Sequence, residues 1–136
     1  DKIIEKKTGK SINEIFNSDG ESYFRIYEKK IVLQTLETNN CVIALGGGSI
    51  LSESVRNLMK KNSFTIYLET DFNLIYKRVS LSRNRPLLLK QNIRVKLKQL
   101  INDREKFYKK ADLIVQNRYN KFKTIKDIEE YFKKYE

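Results

Sequence analysis

Short apolar runs that alternate with helical periodicity constrain this sequence more than any other feature. Residues 41–45, 64–68 and 113–115 are short and apolar, as strands covered on both faces are. The segments between them carry apolar residues at helical spacing. Strands that alternate with helices predict an α/β fold with a parallel sheet flanked by helices on both faces.

Several of the predicted helices have recognisable end signals. Gly9 closes the first helix. Ser11 has the spacing of a capping box with the glutamate three residues on. Ser52, Asp71 and Thr124 are predicted N-caps of later helices. The predicted helices cover residues 2–8, 12–17, 21–37, 53–61, 72–81, 92–108 and a final segment from 124.

The predicted sheet has too few strands. Three strands do not make a parallel sheet whose central strands are flanked and whose faces are covered. The first predicted element is a helix, the chain opens on Asp1, and its single methionine is Met59. We therefore expect one domain over residues 1–136 that lacks a first β-α-β segment of about 30 residues.

Composition narrows the class of protein. The chain has 136 residues, 40% hydrophobic and 33% charged, which fits one domain with a core and excludes a disordered chain or a disulfide miniprotein. No apolar run predicts a membrane span, and no secretory signal is seen. The chain has no histidine, so imidazole chemistry is excluded. The single Cys41 fits a reducing compartment.

The net charge of +11 has two explanations. A basic chain suits a nucleic acid or another anionic partner. However, 20 of the 28 cations are lysines spread evenly along the chain, and isoleucine and asparagine are also abundant, as an AT-rich genome produces. We favour this compositional drift by roughly three to one and expect no nucleic-acid partner.

Three glycines, Gly46, Gly47 and Gly48, directly follow the predicted strand at 41–45. Ligands of open α/β folds bind at the carboxyl ends of strands. Glycines there let a substrate approach the backbone and its N–H groups. A tight turn needs only one glycine, so the run favours a functional loop by roughly two to one. No Gly-Lys-Ser/Thr follows, so the loop is not a Walker A loop.

Two arginines on predicted helices are candidates for anion recognition, because a planar guanidinium fits carboxylates and phosphates. Arg25 lies one turn from Glu21 and from Glu28, so it is either aimed at a ligand or part of an ordinary surface ion pair. Spacing alone favours the surface pair. Arg104 lies among apolar residues of the long helix, where it either anchors a ligand carboxylate or extends to solvent.

A polar segment at about 82–91 contains Arg83, Arg85 and Pro86 between two helices. One interpretation is a mobile lid that supplies the charge of an arginine to a phosphate. The other is a solvated loop, and the sequence favours neither.

These motifs, taken in order, resemble the shikimate kinase family over essentially the whole chain. Any one of them is weak, whereas four in the right order and spacing are strong. They are the segment from Asp1 to Glu28, Ala44-Leu45-Gly46-Gly47-Gly48-Ser49, Arg85-Pro86-Leu87-Leu88, and Asp103-Arg104 with Tyr108 and Ala111-Asp112.

The resemblance implies roles for the polar residues. Asp1 would hydrogen-bond the shikimate hydroxyls and help to orient the attacking one. Arg25 and Arg104 would hold the shikimate carboxylate, a bidentate task for which lysine is a poor substitute. Arg85 would move with the lid to contact the ATP phosphates and steady the transition state.

The resemblance also implies contacts around the substrate ring and the nucleotide base. The glycine loop would donate backbone N–H groups, two phenylalanines would wall the ring, and a helix end and a late loop would lie near adenine. In that order these are Gly46, Gly47 and Gly48, then Phe16 and Phe24, then Arg78 and the loop from Arg118 to Lys121.

The implied reaction is transfer of the ATP γ-phosphoryl group to the 3-hydroxyl of shikimate, in aromatic amino-acid biosynthesis. ATP would come with Mg²⁺, shikimate and ATP would be the only partners, and the enzyme would be a cytoplasmic monomer. The family's Walker A loop is not in this chain, nor are metal ligands. Phosphoryl transfer depends on that loop and on Mg²⁺, so we expect these 136 residues alone to be inactive and poorly stable.

Three alternatives stay open. Another small-molecule kinase of this fold, such as a gluconate kinase, would share the carboxylate substrate that Arg25 and Arg104 indicate. A non-catalytic binding remnant would keep the substrate pocket alone. A basic nucleic-acid binder would show steep salt dependence.

Overall fold

The computed structural model describes residues 1–81, 92–117 and 120–134. These divide into two compact units, Asp1–Phe64 and the described residues from 65 to 134. The first contains α1 (Lys2–Thr8), α2 (Ile12–Ser18), α3 (Gly20–Thr35), a 3₁₀ turn (Ser49–Leu51) and α4 (Glu53–Asn62). The second contains β1 (Ile66–Glu69), α5 (Phe72–Ser80), α6 (Ile93–Tyr108), β2 (Leu113–Gln116) and α7 (Lys121–Phe132).

Local signals end the first two helices as the sequence predicts. Gly9 closes α1 with φ 69°, a left-handed conformation that glycine adopts without strain. Ser11 caps α2 in a complete capping box with Glu14. The two short helices pack against α3 through a buried apolar cluster of Ile4, Ile15 and the α3 residue Phe24.

Helix α3 is the longest element of the first unit, and it carries the candidate site. It begins at Gly20, where φ is 86°, and ends two residues before its predicted end at 37. The Asn62 side-chain amide at the end of α4 donates to the Leu36 carbonyl at 3.2 Å. That bond ties the end of α4 to the end of α3.

Residues 41–45 are not a strand, so this prediction is wrong. Val42 is fully exposed, and Ile43 and Leu45 are half-buried. A strand needs a neighbour to receive its hydrogen bonds and cover its side chains. In the described part of the chain the only strand pairing joins β1 and β2, so this apolar run has no ladder to join.

The second unit has the predicted parallel pairing. Strands β1 and β2 run parallel with Ile66 opposite Leu113. Just before the strands, the Thr65 amide and hydroxyl donate to the Asp112 carboxylate at 2.7 and 2.6 Å. The predicted burial on both faces is wrong, since Leu68 and Ile114 are each 45% exposed. The α/β class with parallel strands is confirmed. The Thr65–Asp112 bonds, called the clamp below, and the backbone ladder between β1 and β2 hold the two strands together.

Three caps of the later helices were predicted: Asp71 is correct, Ser52 holds the N-cap position without a capping hydrogen bond, and Thr124 is wrong. Asp71 caps α5, and Asn92 caps α6. Ser52 occupies the N-cap position of α4, but its side chain makes no capping hydrogen bond. Thr124 is buried within α7 rather than at its start, because Asn120 accepts from the Phe122 amide and caps the helix earlier.

Among the residues that the structure describes, each helix is too short or too polar to span a bilayer.

Candidate functional site

A guanidinium held by two carboxylates lies on α3. Arg25 Nη1 donates to Glu28 at 2.6 Å, and Nε and Nη2 donate to Glu21 at 3.2 and 3.1 Å. These partners lie one turn away on either side, as helical spacing predicts. Glu28 is only 7% exposed, so the pair is not the ordinary surface pair that spacing favoured. A buried carboxylate needs its cation, which fixes Arg25 in place.

An aromatic side chain supports the same guanidinium. The Arg25 Cζ atom lies 5.1 Å from the centre of the Phe24 ring, within cation–π range. Phe24 is buried and lies 5.0 Å from the Phe16 ring, centre to centre. The apolar core of the first unit therefore positions the charged group above it. That these two rings wall a substrate stays a prediction.

The glycine loop packs directly on this charge pair. A Cβ atom on Gly46 would lie 2.6 Å from Glu28 Oε1, and one on Gly48 would lie 2.5 Å from Arg25 Cζ. Neither glycine has a positive φ, so both are needed for space rather than for backbone conformation. The sequence predicted that these glycines leave space for a substrate to approach the backbone. In the structure the Glu28 carboxylate and the Arg25 guanidinium occupy the space beside Gly46 and Gly48. Contact of Gly47 with a substrate stays a prediction.

An open cleft of about 290 Å³ lies beside these groups. Glu21, Arg25, Glu28 and Gly48 line it, joined by Lys29 and Ser49 and by three further residues, Leu51, Ser52 and Val55. Among the described atoms, the buried Ser49 hydroxyl has no hydrogen-bond partner.

Sequence reasoning named Ser49 only as the last residue of the glycine motif, and it missed Lys29 as a member of the cleft. The available signal was adjacency, since Lys29 follows Glu28 and Ser49 follows the glycines.

The cleft can bind a carboxylate. A guanidinium has five N–H groups. As far as the described residues go, Glu21 and Glu28 take three of those of Arg25, at Nε, Nη2 and Nη1. One N–H group on each terminal nitrogen therefore remains. Two donors on adjacent nitrogens of a rigid fork suit the two oxygens of a carboxylate.

Asp1 is exposed at the N-cap position of α1. Its backbone carbonyl accepts from the Glu5 amide at 3.0 Å, and its side chain makes no capping bond. The carboxylate is therefore not used in capping the helix, and its predicted part in orienting a hydroxyl stays a prediction.

The other predicted arginines lie elsewhere in the chain. Arg104 is half-buried on α6 in the second unit, and its Nε is buried without a hydrogen-bond partner among the described residues. Arg78 is exposed in the last turn of α5. Arg85, with the predicted lid at 82–91, and Arg118 lie outside the described residues. The structure thus brings together Phe16, Phe24, Arg25 and the glycine loop in one unit, and the predicted roles of the rest stay predictions.

A resident metal site does not fit the described residues. Residues 1–81, 92–117 and 120–134 contain no group of three His, Cys, Asp or Glu side chains that could hold an ion. We therefore derive no step through Mg²⁺ at this site.

Comparisons with known proteins point to one family. A family model described as "SKI: Shikimate kinase" matches residues 1–135. A shikimate kinase of Caldanaerobacter subterraneus subsp. tengcongensis is 36% identical over 96% of this chain, and one of Bartonella henselae is 33% identical over 92%. The structure of a shikimate kinase from Acinetobacter baumannii in complex with shikimate is 32% identical with a TM-score of 0.83. It covers 88% of this chain and 68% of that one.

The two relatives are longer than this chain. The chain spans 74% of the length of the Caldanaerobacter protein and 60% of the Bartonella protein.

Proposed function

Because the chain belongs to the shikimate kinase family, a family of ATP-dependent small-molecule kinases, we propose that it carries the shikimate-binding part of an enzyme. That enzyme transfers the γ-phosphoryl group of ATP to the 3-hydroxyl of shikimate. The relative from Acinetobacter baumannii, solved with shikimate, supports this substrate. The comparisons favour neither a gluconate kinase nor a nucleic-acid binder.

One observation in this chain carries the proposal, namely the guanidinium of Arg25 fixed between Glu21 and Glu28. An unpaired guanidinium is mobile and loses side-chain entropy when it binds a ligand, whereas a preorganised one loses less. The two remaining N–H groups of Arg25 hold the shikimate carboxylate in this proposal. The ring of shikimate then lies in the cleft beside Gly48 and Ser49.

The other contacts of the reaction are proposals of the same account. Arg104 supplies a second cation to the carboxylate, and its buried unpartnered Nε supports a role in anion binding. Asp1 orients the attacking hydroxyl, and Arg85 contacts the phosphates of ATP. ATP with Mg²⁺ as cofactor, a cytoplasmic location and a monomeric state complete the proposal.

A substrate comparison tests the function. The full-length protein encoded by the gene that carries this sequence is assayed for ADP release with shikimate, gluconate and shikimate methyl ester. We expect turnover with shikimate, and a KM at least about 10-fold higher for the ester, because loss of a charge-assisted bidentate contact costs about 1.5–3 kcal/mol. A preference for gluconate would indicate the other kinase, and no turnover with any of the three would indicate a binding remnant.

A further inference from the structure

A second arginine of the first unit fastens the turn that follows the glycine loop. Arg56, on α4, donates from Nη1 to the Ile50 carbonyl at 2.9 Å and to the Leu51 carbonyl at 2.8 Å. We propose that Arg56 is a positioning residue for shikimate binding, which acts by holding Gly48 against Arg25. The inference rests on the proposed function and adds a residue that does not touch the ligand.

Backbone hydrogen bonds within residues 46–51 connect the position of Ile50 and Leu51 to that of the glycines. The Ser49 amide donates to the Gly46 carbonyl at 3.0 Å, and the Leu51 amide donates to the Gly48 carbonyl at 3.1 Å. The chain from 46 to 51 is therefore closed on itself by its own backbone bonds. Anything that holds the carbonyls at its end also fixes the glycines at its start.

Two carbonyls at the end of a helical turn have no partner within that turn, and burial makes an unpaired one costly. Ile50 is buried, at 8% exposed. Arg56 supplies two charge-assisted hydrogen bonds at this point, which are shorter and stronger than neutral ones. The Arg56 amide also donates to the Ser52 carbonyl at 3.1 Å, so α4 and the turn are joined at the base of this side chain.

At the glycine end of the turn, Gly48 and the Arg25 guanidinium are in close contact. A Cβ on Gly48 would lie 2.5 and 2.7 Å from Arg25 Cζ and Nη2, which places the guanidinium directly on the glycine backbone. A shift of about 1 Å in a positioning group costs on the order of 100-fold in a reaction that depends on geometry. Among the described residues, those that line the cleft do not include Arg56, so its effect passes through the turn.

Steady-state kinetics on the full-length protein test the inference. Arg56→Leu removes both bonds, and we expect the KM for shikimate to rise about 10-fold while the KM for ATP changes less than about twofold. Arg56→Lys keeps a donor with a shorter reach, so it should restore part of the affinity. Lys60→Leu, an exposed lysine on the same helix, is the matched control and should leave both KM values unchanged.

The outcomes separate a positioning role from a merely structural one. A structural role lowers kcat through a smaller folded fraction and leaves the shikimate KM unchanged, and that result overturns the inference. If Arg56→Leu does not fold, Arg56→Gln and Arg56→Lys carry the same KM comparison. Wild-type turnover of shikimate with unchanged KM in the variants overturns the role of Arg56 alone. A wild-type protein that does not phosphorylate shikimate overturns the proposed function as well.

Discussion

Residues 41–45 and 46–51 follow one another in the chain, and the structure holds them in opposite ways. The first segment is apolar, yet Val42 is fully exposed and no strand forms. The second begins with three glycines, yet its backbone is closed by its own hydrogen bonds and by Arg56. Apolar character thus did not produce a strand at residues 41–45, whereas specific hydrogen bonds close the turn that follows.

Strand β1 shows what the apolar segment lacks. Its sequence is less apolar than residues 41–45, since it contains Glu69, yet it pairs with β2, and Thr65 and Asp112 hydrogen-bond just before the two strands. Hydrophobicity supplies a driving force without direction. A strand forms where a partner supplies the ladder, and a turn forms where nearby donors and acceptors suffice.

The largest effect on shikimate affinity is expected from a single methyl group added at Gly48, in the segment 46–51. In Gly48→Ala the new Cβ occupies the place of the Arg25 guanidinium, which must move away from its two glutamates. We expect the affinity of the full-length protein for shikimate, measured by calorimetry, to fall about 100-fold, because the charge-assisted contact of the guanidinium is lost. Thermal stability should fall as well, because moving the guanidinium leaves the buried Glu28 carboxylate without its cation. An unchanged affinity would show that the close approach has no role in binding.

The next effect comes from the buried carboxylate. Glu28→Gln keeps the shape of the side chain but removes the charge that faces Arg25 Nη1 at 2.6 Å. We expect about a 10-fold loss of shikimate affinity, because a neutral amide oxygen holds the guanidinium less firmly than the carboxylate of an ion pair does. Glu21→Gln is the matched variant on the exposed side of Arg25 and should have a smaller effect. Equal losses would mean that burial of Glu28 adds nothing.

A smaller effect concerns the clamp of the paired strands. Hydrogen bonds from Thr65 lower the pKa of the Asp112 carboxyl. A carboxyl whose pKa is lower in the folded state stabilises the fold above its ordinary pKa of about 3.9, and loses that effect as the pH falls through the lowered value. At pH 7 we expect Asp112→Ala to reduce the free energy of unfolding of the full-length protein by about 1 kcal/mol or less.

Urea unfolding at pH 7 and at pH 2.5 measures that difference. The gap between wild type and Asp112→Ala should narrow in acid. Asp103→Ala, which removes an exposed carboxylate of α6, is the matched control. A gap that persists unchanged in acid would mean that the charge of Asp112 does not stabilise the clamp.

The smallest effect, on the free energy of unfolding, is expected for a substitution in residues 41–45, which pair with no strand in the described part of the chain. Val42→Thr in the 136-residue chain should change the free energy of unfolding by less than about 0.5 kcal/mol, as ordinary surface substitutions do. A loss of more than about 1 kcal/mol would place Val42 in a packed strand. That result would remove the contrast between the two segments.

The sequence predicted local features well, because neighbouring residues decide them. The capping box at Ser11, the left-handed Gly9 and the cap at Asp71 depend on residues within one turn. Thr124 failed as a cap because Asn120, four residues earlier, satisfies the first amides of α7. A list of good capping residues does not say which of two will be used.

The site was only half predictable. Helical spacing placed Arg25 beside Glu21 and Glu28, but it gave no sign that Glu28 is buried. Burial here depends on Gly46, eighteen positions further along the chain. The two bonds of Arg56 likewise depend on the path of the 3₁₀ turn rather than on any spacing motif. Such contacts between separate segments depend on tertiary packing, so a local sequence pattern does not predict them.

The most direct test of the account is a calorimetric titration of shikimate into the full-length protein and its Arg25→Lys variant, with Arg94→Lys on α6 as the matched arginine control. Lysine keeps the charge but not the fork, so it cannot bond both glutamates and a carboxylate in the geometry of Arg25. We predict that the wild type and Arg94→Lys bind shikimate alike and that Arg25→Lys binds at least about 10-fold more weakly. Equal affinities of wild type and Arg25→Lys would contradict the claim that this preorganised guanidinium holds the substrate.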